Sequence, residues 1–166
     1  MIEMDAPTVV QFRKLVGIAN YQFGKDAGTV LFNKGTRITC SRRTGRIRHI
    51  YRGGKLIATL RPKDGYLALA PAGASLILSK IKQPPNLVVV QNDVADFIKA
   101  GGDVFAKHVA HADMGLRPAE EVIVTNEQGV LLGVGKAVLS GKDMGFFKRG
   151  VAVRIRKGTS EKAVLG

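Results

Sequence analysis

The stretch whose reading decides the fold is Asp103–Lys157, DVFAKHVAHADMGLRPAEEVIVTNEQGVLLGVGKAVLSGKDMGFFKRGVAVRIRK. Glu121–Thr125 is rich in β-branched residues, which favour a pleated strand. Asn126–Gly129 reads as a turn in which Gly129 is free to take a positive φ. Val130–Leu139 follows as a second strand, with Gly133 and Gly135 at bulge or bend positions. Val151–Arg156 alternates: Val151, Val153 and Ile155 share one face, Arg154 and Arg156 the other. The two arginines are expected to point outward beside Lys148 and Arg149. Such a run predicts a small barrel with a basic last strand, a platform suited to nucleic acid.

Outward from that stretch, the chain divides at Gln83–Pro84–Pro85–Asn86, where two prolines stop a helix and stiffen the link. The expected domains are 1–85 and 86–166. In the first, Asp5 and Pro7 suggest a helix over 7–19, with Val9, Phe12, Val16 and Ala19 at helical spacing. A second helix is expected over 26–32. Strands over 37–41, 46–51, 55–60 and 66–70 follow, separated by Thr44–Gly45, Gly53–Gly54 and Asp64–Gly65. Pro71 opens a further helix to about Lys82. The fold class is α+β: a small helix-flanked antiparallel sheet followed by a β-barrel.

Charge narrows the function. The chain holds 26 Lys+Arg against 13 Asp+Glu, a net of +13. Residues 1–86 carry 15 basic and 4 acidic residues, whereas 87–131 carry 3 and 7. Charge so unevenly spread points to a polyanion partner on particular surfaces. Between Asp26 and Asp64 lie ten basic residues and no acid. Alternation puts Arg46, Arg48 and Arg52 on one strand face, with Arg42 and Arg43 at the adjoining turn. Arginine forks two phosphate oxygens where lysine cannot, so this row is a candidate RNA contact. A solvated strand face is the plainer alternative.

Signals for catalysis are thin. No paired carboxylates, phosphate loop or Ser-His-Asp set is readable. His108, His111 and Asp113 lack a helix or fourth ligand for a metal, so no metal or cofactor is expected. Cys40, the lone cysteine, shares a presumed buried face with Ile38 and reads as a small core residue. No apolar run reaches the ~18 residues a membrane span needs, and the N-terminus has no secretory pattern. A cytoplasmic location is expected.

The order of parts in the second half carries a resemblance. A short helix over 93–100 ends at Gly101–Gly102, then come VFAKHV, AD…LRP, EEVIVTN, LLGVGKAVLSGKDM and FKRGVAVRIRKG. This order resembles the PUA domain, the RNA-binding module of pseudouridine synthases and archaeosine transglycosylases. It is most like the last domain of archaeal tRNA-guanine transglycosylase. NYQFGKDAGTVLF, SRRTGRIRHIY and GKLIATLRPKDG resemble the domain just before it. The pattern also resembles the C-terminal part of archaeosine synthase. Neither the transglycosylase's paired aspartates and zinc cysteines nor the synthase's cysteine-and-lysine motif has a counterpart here.

The resemblance implies non-catalytic RNA binding, with tRNA held at its acceptor stem and 3′ end. It further implies an accessory role beside a separate catalytic subunit in archaeosine-type modification. Ribosome- or translation-associated binding is the alternative, because PUA domains occur there too. By resemblance, Gly101, Gly102 and Lys107 belong to the RNA surface, and Lys148, Arg149, Arg154 and Arg156 lie beside the bound end. Phe105 is expected in the core, and His108 either half-buried or on that surface.

Overall fold

The computed structural model describes residues 3–160. They form two compact units, Met1–Pro84 and Pro85–Gly166.

The first unit opens with a helix, α1 (Val9–Phe23). It begins later than Pro7 because Thr8 caps it: the Thr8 side chain accepts from the Gln11 N–H and the Gln11 side chain accepts from the Thr8 N–H. It also runs past Ala19, since its buried stripe is Leu15, Ala19 and Phe23, not Val9, which is exposed. Asp5, expected to start the helix, pairs instead with Ile38 in an isolated bridge. A short helix, α2 (Ala27–Leu31), packs against α1 so closely that a Cβ on Gly28 would run into the Val16 backbone.

Four strands follow as an antiparallel meander: β1 (Thr36–Cys40), β2 (Ile47–Arg52), β3 (Lys55–Leu60) and β4 (Leu67–Leu69). Ile38, Ile50, Ala58 and Leu69 are successive cross-strand partners and all are buried. Direct cross-strand neighbours share a face, so this row is the sheet's contribution to the core. The next row, Thr39, His49 and Thr59, is polar, and Thr39 Oγ1 lies 3.2 Å from His49 Nδ1. The pairing of β1 with β2 slips between Thr39 and Cys40. That slip turns Cys40 outward: it is exposed, not a core residue as its alternation with Ile38 suggests. Helix α3 (Pro71–Lys80) closes the unit with Gly73, Ala74 and Ile77 buried.

The second unit is a six-stranded sheet in the order β6-β10-β9-β8-β5-β7. Its strands are β5 (Leu87–Val90), β6 (Val104–Phe105), β7 (Val109–Ala112), β8 (Glu121–Asn126), β9 (Leu131–Ala137) and β10 (Val151–Gly158). The two edge strands, β6 and β7, are joined only by the 3-10 turn Ala106–His108. A connection that short brings the edges together, so the sheet curls into a nearly closed barrel. This is the α+β architecture, antiparallel sheet then barrel, expected from the sequence. Strand β5 runs parallel to β8, placing Val88 beside Val124 in the barrel core with Val90, Val104, Val122, Leu132 and Val153. Helix α4 (Ala95–Lys99) and helix α5 (Gly141–Phe146) plug the barrel with Ile98 and Met144.

Helix α4 ends in a two-bond C-cap. Gly101 takes φ +103 and donates to the Ile98 carbonyl, while Gly102 donates to the Phe97 carbonyl. The N–H groups of Gly101 and Gly102, residues placed at the RNA surface by resemblance, are committed to closing a helix.

Candidate nucleic-acid interface

In the first unit the β1–β2 turn, the β3–β4 turn and the start of α1 enclose an open groove of about 680 Å³. Lys14, Arg43, Arg46, Arg48 and Arg61 line it, with Gln11 and Ser41 as neutral donors, and no acidic side chain does. Five cations facing one groove repel one another, which favours an anion between them. Arg61 is the least ordinary member. Its side chain is 17% exposed and one nitrogen lies 3.2 Å from Asp64. Its Nε and other terminal nitrogen are buried with no hydrogen-bond partner in the protein. Buried donors normally have partners, so these two nitrogens are exceptions within the described residues.

The expected arginine row divides. Arg43, Arg46 and Arg48 come together in this groove. Arg42 is exposed on the same turn but does not line it. Arg52 departs from the row: one terminal nitrogen donates to the Val30 carbonyl at 2.8 Å and to the Leu31 carbonyl at 3.4 Å. It caps the C-terminal end of α2, 21 and 22 residues away in sequence, where a cation is favourable. Arg52→Ala should therefore destabilise the unit by about 1–2 kcal/mol and leave the salt dependence of RNA binding unchanged, which chemical denaturation and binding titrations together will read.

Alternation along the sequence did not bring in Lys14 and Arg61. Lys14 comes from a helix far from the arginine run, and Arg61 sits beyond strand β3. Only the closing of the sheet places them beside the turn.

The second unit carries a smaller hollow of about 360 Å³, lined by Phe105, Lys107, Lys148, Arg149 and Gly150. Phe105 is 38% exposed, not a core residue. The alternation continues through this stretch: Val104 and Ala106 are buried, so Phe105 and Lys107 between and after them face outward together. Phe146 and Phe147 sit edge to face, 5.8 Å between centroids, just before Lys148. Phe146 is 79% exposed. Cations and exposed rings thus lie on one stretch of surface, the combination that single-stranded nucleic acid uses.

The last strand presents Arg154 and Arg156 outward, as the alternation predicts, but the two are held differently. Arg154 is exposed and only loosely held, 3.7 Å from Asp103. Arg156 is exposed on the same face but firmly held. Its two terminal nitrogens donate to the two carboxylate oxygens of Glu121, each at 2.7 Å, and Glu121 is 1% exposed. From β10 the guanidinium reaches across β9 to β8, a staple within the barrel. Among the described residues no group of three or more His, Cys, Asp or Glu is placed to hold a metal. No helix there is long and apolar enough to cross a membrane.

Two family models divide the chain as its two units do. Residues 13–84 match the patch-forming domain C2 of tRNA-guanine transglycosylase, and residues 86–159 match the PUA domain. The chain is a C2 domain followed by a PUA domain. It is related to the archaeal tRNA-guanine(15) transglycosylases. It is 41% identical over 146 residues to that of Methanobrevibacter smithii, covering 88% of this chain and 22% of the relative. It is 40% identical over 148 residues to that of Pyrococcus abyssi, covering 89% and 25%. The chain thus spans about a quarter of the length of these relatives.

Among solved structures, a hypothetical protein of Pyrococcus horikoshii aligns with a TM-score of 0.77 at 23% identity, over 96% of both chains. A PUA-domain protein of Thermoplasma acidophilum aligns at 0.70 and 19%, again over 96% of both. These share the fold of the C2–PUA pair along its full length.

Proposed function

We propose that this C2–PUA pair binds tRNA without catalysing its modification, and that the PUA domain takes the unpaired 3′ end beside the acceptor stem. The observation that carries this reading is the hollow in which Lys107, Lys148 and Arg149 surround the exposed Phe105 ring. Lysine and arginine heads meet phosphates, and the ring offers a face to an unstacked base. The relationship to the transglycosylases supports tRNA as the RNA, and the PUA family is an RNA-binding one. Arg154, exposed on the neighbouring strand, supplies a further cation near that end. Arg42, on the C2 turn, extends the basic surface toward a phosphate backbone.

In this reading the chain is an accessory subunit in the cytoplasm that presents tRNA to a separate catalytic subunit for an archaeosine-type base exchange. Purified alone, it should incorporate no guanine into tRNA; sustained incorporation with no other protein present contradicts the accessory role. Crosslinking in cells, followed by sequencing of the bound RNA and mass spectrometry of copurifying proteins, tests the partner. Recovery of tRNA with a modification enzyme supports the proposal. Recovery of a ribosomal subunit moves the assignment to ribosome-associated binding.

A further inference from the structure

Tyr21 and Tyr66 lie 45 residues apart in sequence, yet their rings stack with centroids 6.0 Å apart and planes 13° from parallel. Neither is buried: Tyr21 is 77% exposed and Tyr66 39%. Two large rings held against each other in water leave one broad π-face open, since stacking covers only the inner faces. The arrangement is fixed from beneath. Gln22, next to Tyr21, donates its side-chain amide to the Leu67 carbonyl at 3.1 Å and accepts from the Leu67 N–H at 2.7 Å. This paired contact ties the end of α1 to β4 and holds one ring over the other.

The platform adjoins the basic groove. The turn from Arg61 to Gly65 lines the groove, and Tyr66 follows directly. The Tyr66 carbonyl accepts from the Arg61 N–H at 2.9 Å, and the Tyr66 N–H donates to Asp64, the residue paired with the Arg61 guanidinium. One turn therefore carries the Arg61 side chain that lines the groove and the aromatic face together. Lys14 in the groove and Tyr21 in the stack lie on one helix, seven residues and about two turns apart, hence on one side of it.

We propose that the C2 domain holds an unpaired nucleotide of single-stranded RNA, its phosphates in the groove of Arg43, Arg46, Arg48 and Arg61 and its base on the Tyr21–Tyr66 stack. This rests on the RNA-binding reading, and it names the form of RNA that the first domain takes. Duplex RNA keeps its bases paired and stacked inside, so it can use the cations but not the platform. Base stacking on an aromatic side chain is tolerant of sequence, so any unpaired nucleotide of suitable reach qualifies.

The test uses the full chain carrying Lys107→Ala, Lys148→Ala and Arg149→Ala, which removes the PUA hollow, with octauridylate and an eight-base-pair RNA duplex as probes. Octauridylate should bind at least about tenfold more tightly than the duplex at one salt concentration. Tyr21→Ala with Tyr66→Ala should abolish that preference, whereas Tyr66→Phe, which keeps the ring, should retain it. The chain has no tryptophan and three tyrosines, so octauridylate should also quench its tyrosine emission. Arg43→Ala, Arg46→Ala and Arg48→Ala should flatten the salt slope for both probes. Equal binding of the two probes, or a preference that survives loss of both rings in a folded variant, overturns the proposal. Because the PUA hollow is absent throughout, those outcomes leave recognition of the 3′ end by that domain to be judged separately.

Discussion

Arg156→Ala should lower the stability of the PUA domain by about 3 kcal/mol, more than any other arginine substitution in the chain. The cause is Glu121, which sits 1% exposed with both oxygens facing the Arg156 guanidinium. Removing the cation takes the two-bond partner from a buried carboxylate, and breaking a buried pair from one side costs far more than the pair itself contributes. Arg156→Lys should recover only part of the loss, since an ammonium cannot make the parallel two-bond contact. Glu121→Gln with Arg156→Met should restore stability relative to Arg156→Ala, because it removes the buried charge. Chemical denaturation of the parent and the three variants reads these differences. An Arg156→Ala protein as stable as the parent would show that the staple carries nothing.

Lys107→Ala, Lys148→Ala and Arg149→Ala together should weaken tRNA binding at least about tenfold near 0.1 M salt and lower the salt slope by two to three units. The three cations share one hollow in which Phe105 presents a ring. They come from two separate segments that meet only in the folded barrel: Ala106 donates its N–H to the Gly150 carbonyl at 2.9 Å, holding the 3-10 turn against the loop of Lys148 and Arg149. All three are exposed, so the triple variant should fold as the parent does, and a lost affinity reports on contact with RNA. An affinity and slope equal to those of the parent would remove the hollow from the site.

What the sequence made legible followed from local rules. Lys55–Leu60 is a strand between two glycine turns. The Val151 strand and the turn at Gly129, with φ +80, follow from alternation and backbone freedom. Three kinds of feature escaped. Strand β5 is only four residues, too short for periodicity to register, and its parallel partner lies beyond helix α4 and strands β6 and β7. Face assignment failed in two ways: the slip at Thr39/Cys40 exposed Cys40, and at Phe105 the alternation held but its outer face carries the ring. Long-range partners reassigned side chains that alternation had left free. Arg52 turned out to cap a helix, and Arg156 to hold a carboxylate 35 residues away. The candidate site was legible as composition, since the acid-free run before Asp64 holds four of the five groove cations, three of them on a single turn and strand. Its shape was not, because Lys14, Arg61 and the Tyr21–Tyr66 stack join it only through tertiary contacts.

Recognition of an unpaired 3′ end is the central claim, and one titration tests it most directly. Intact tRNA, tRNA trimmed of its 3′ single strand and tRNA lacking the anticodon arm are bound to the unmodified chain at one fixed salt concentration. Trimming the 3′ end should cost more affinity than deleting the anticodon arm, and Lys107→Ala with Arg154→Ala should erase most of the difference. Equal affinity for intact and trimmed tRNA would contradict end recognition and leave the chain a binder of RNA in some other form.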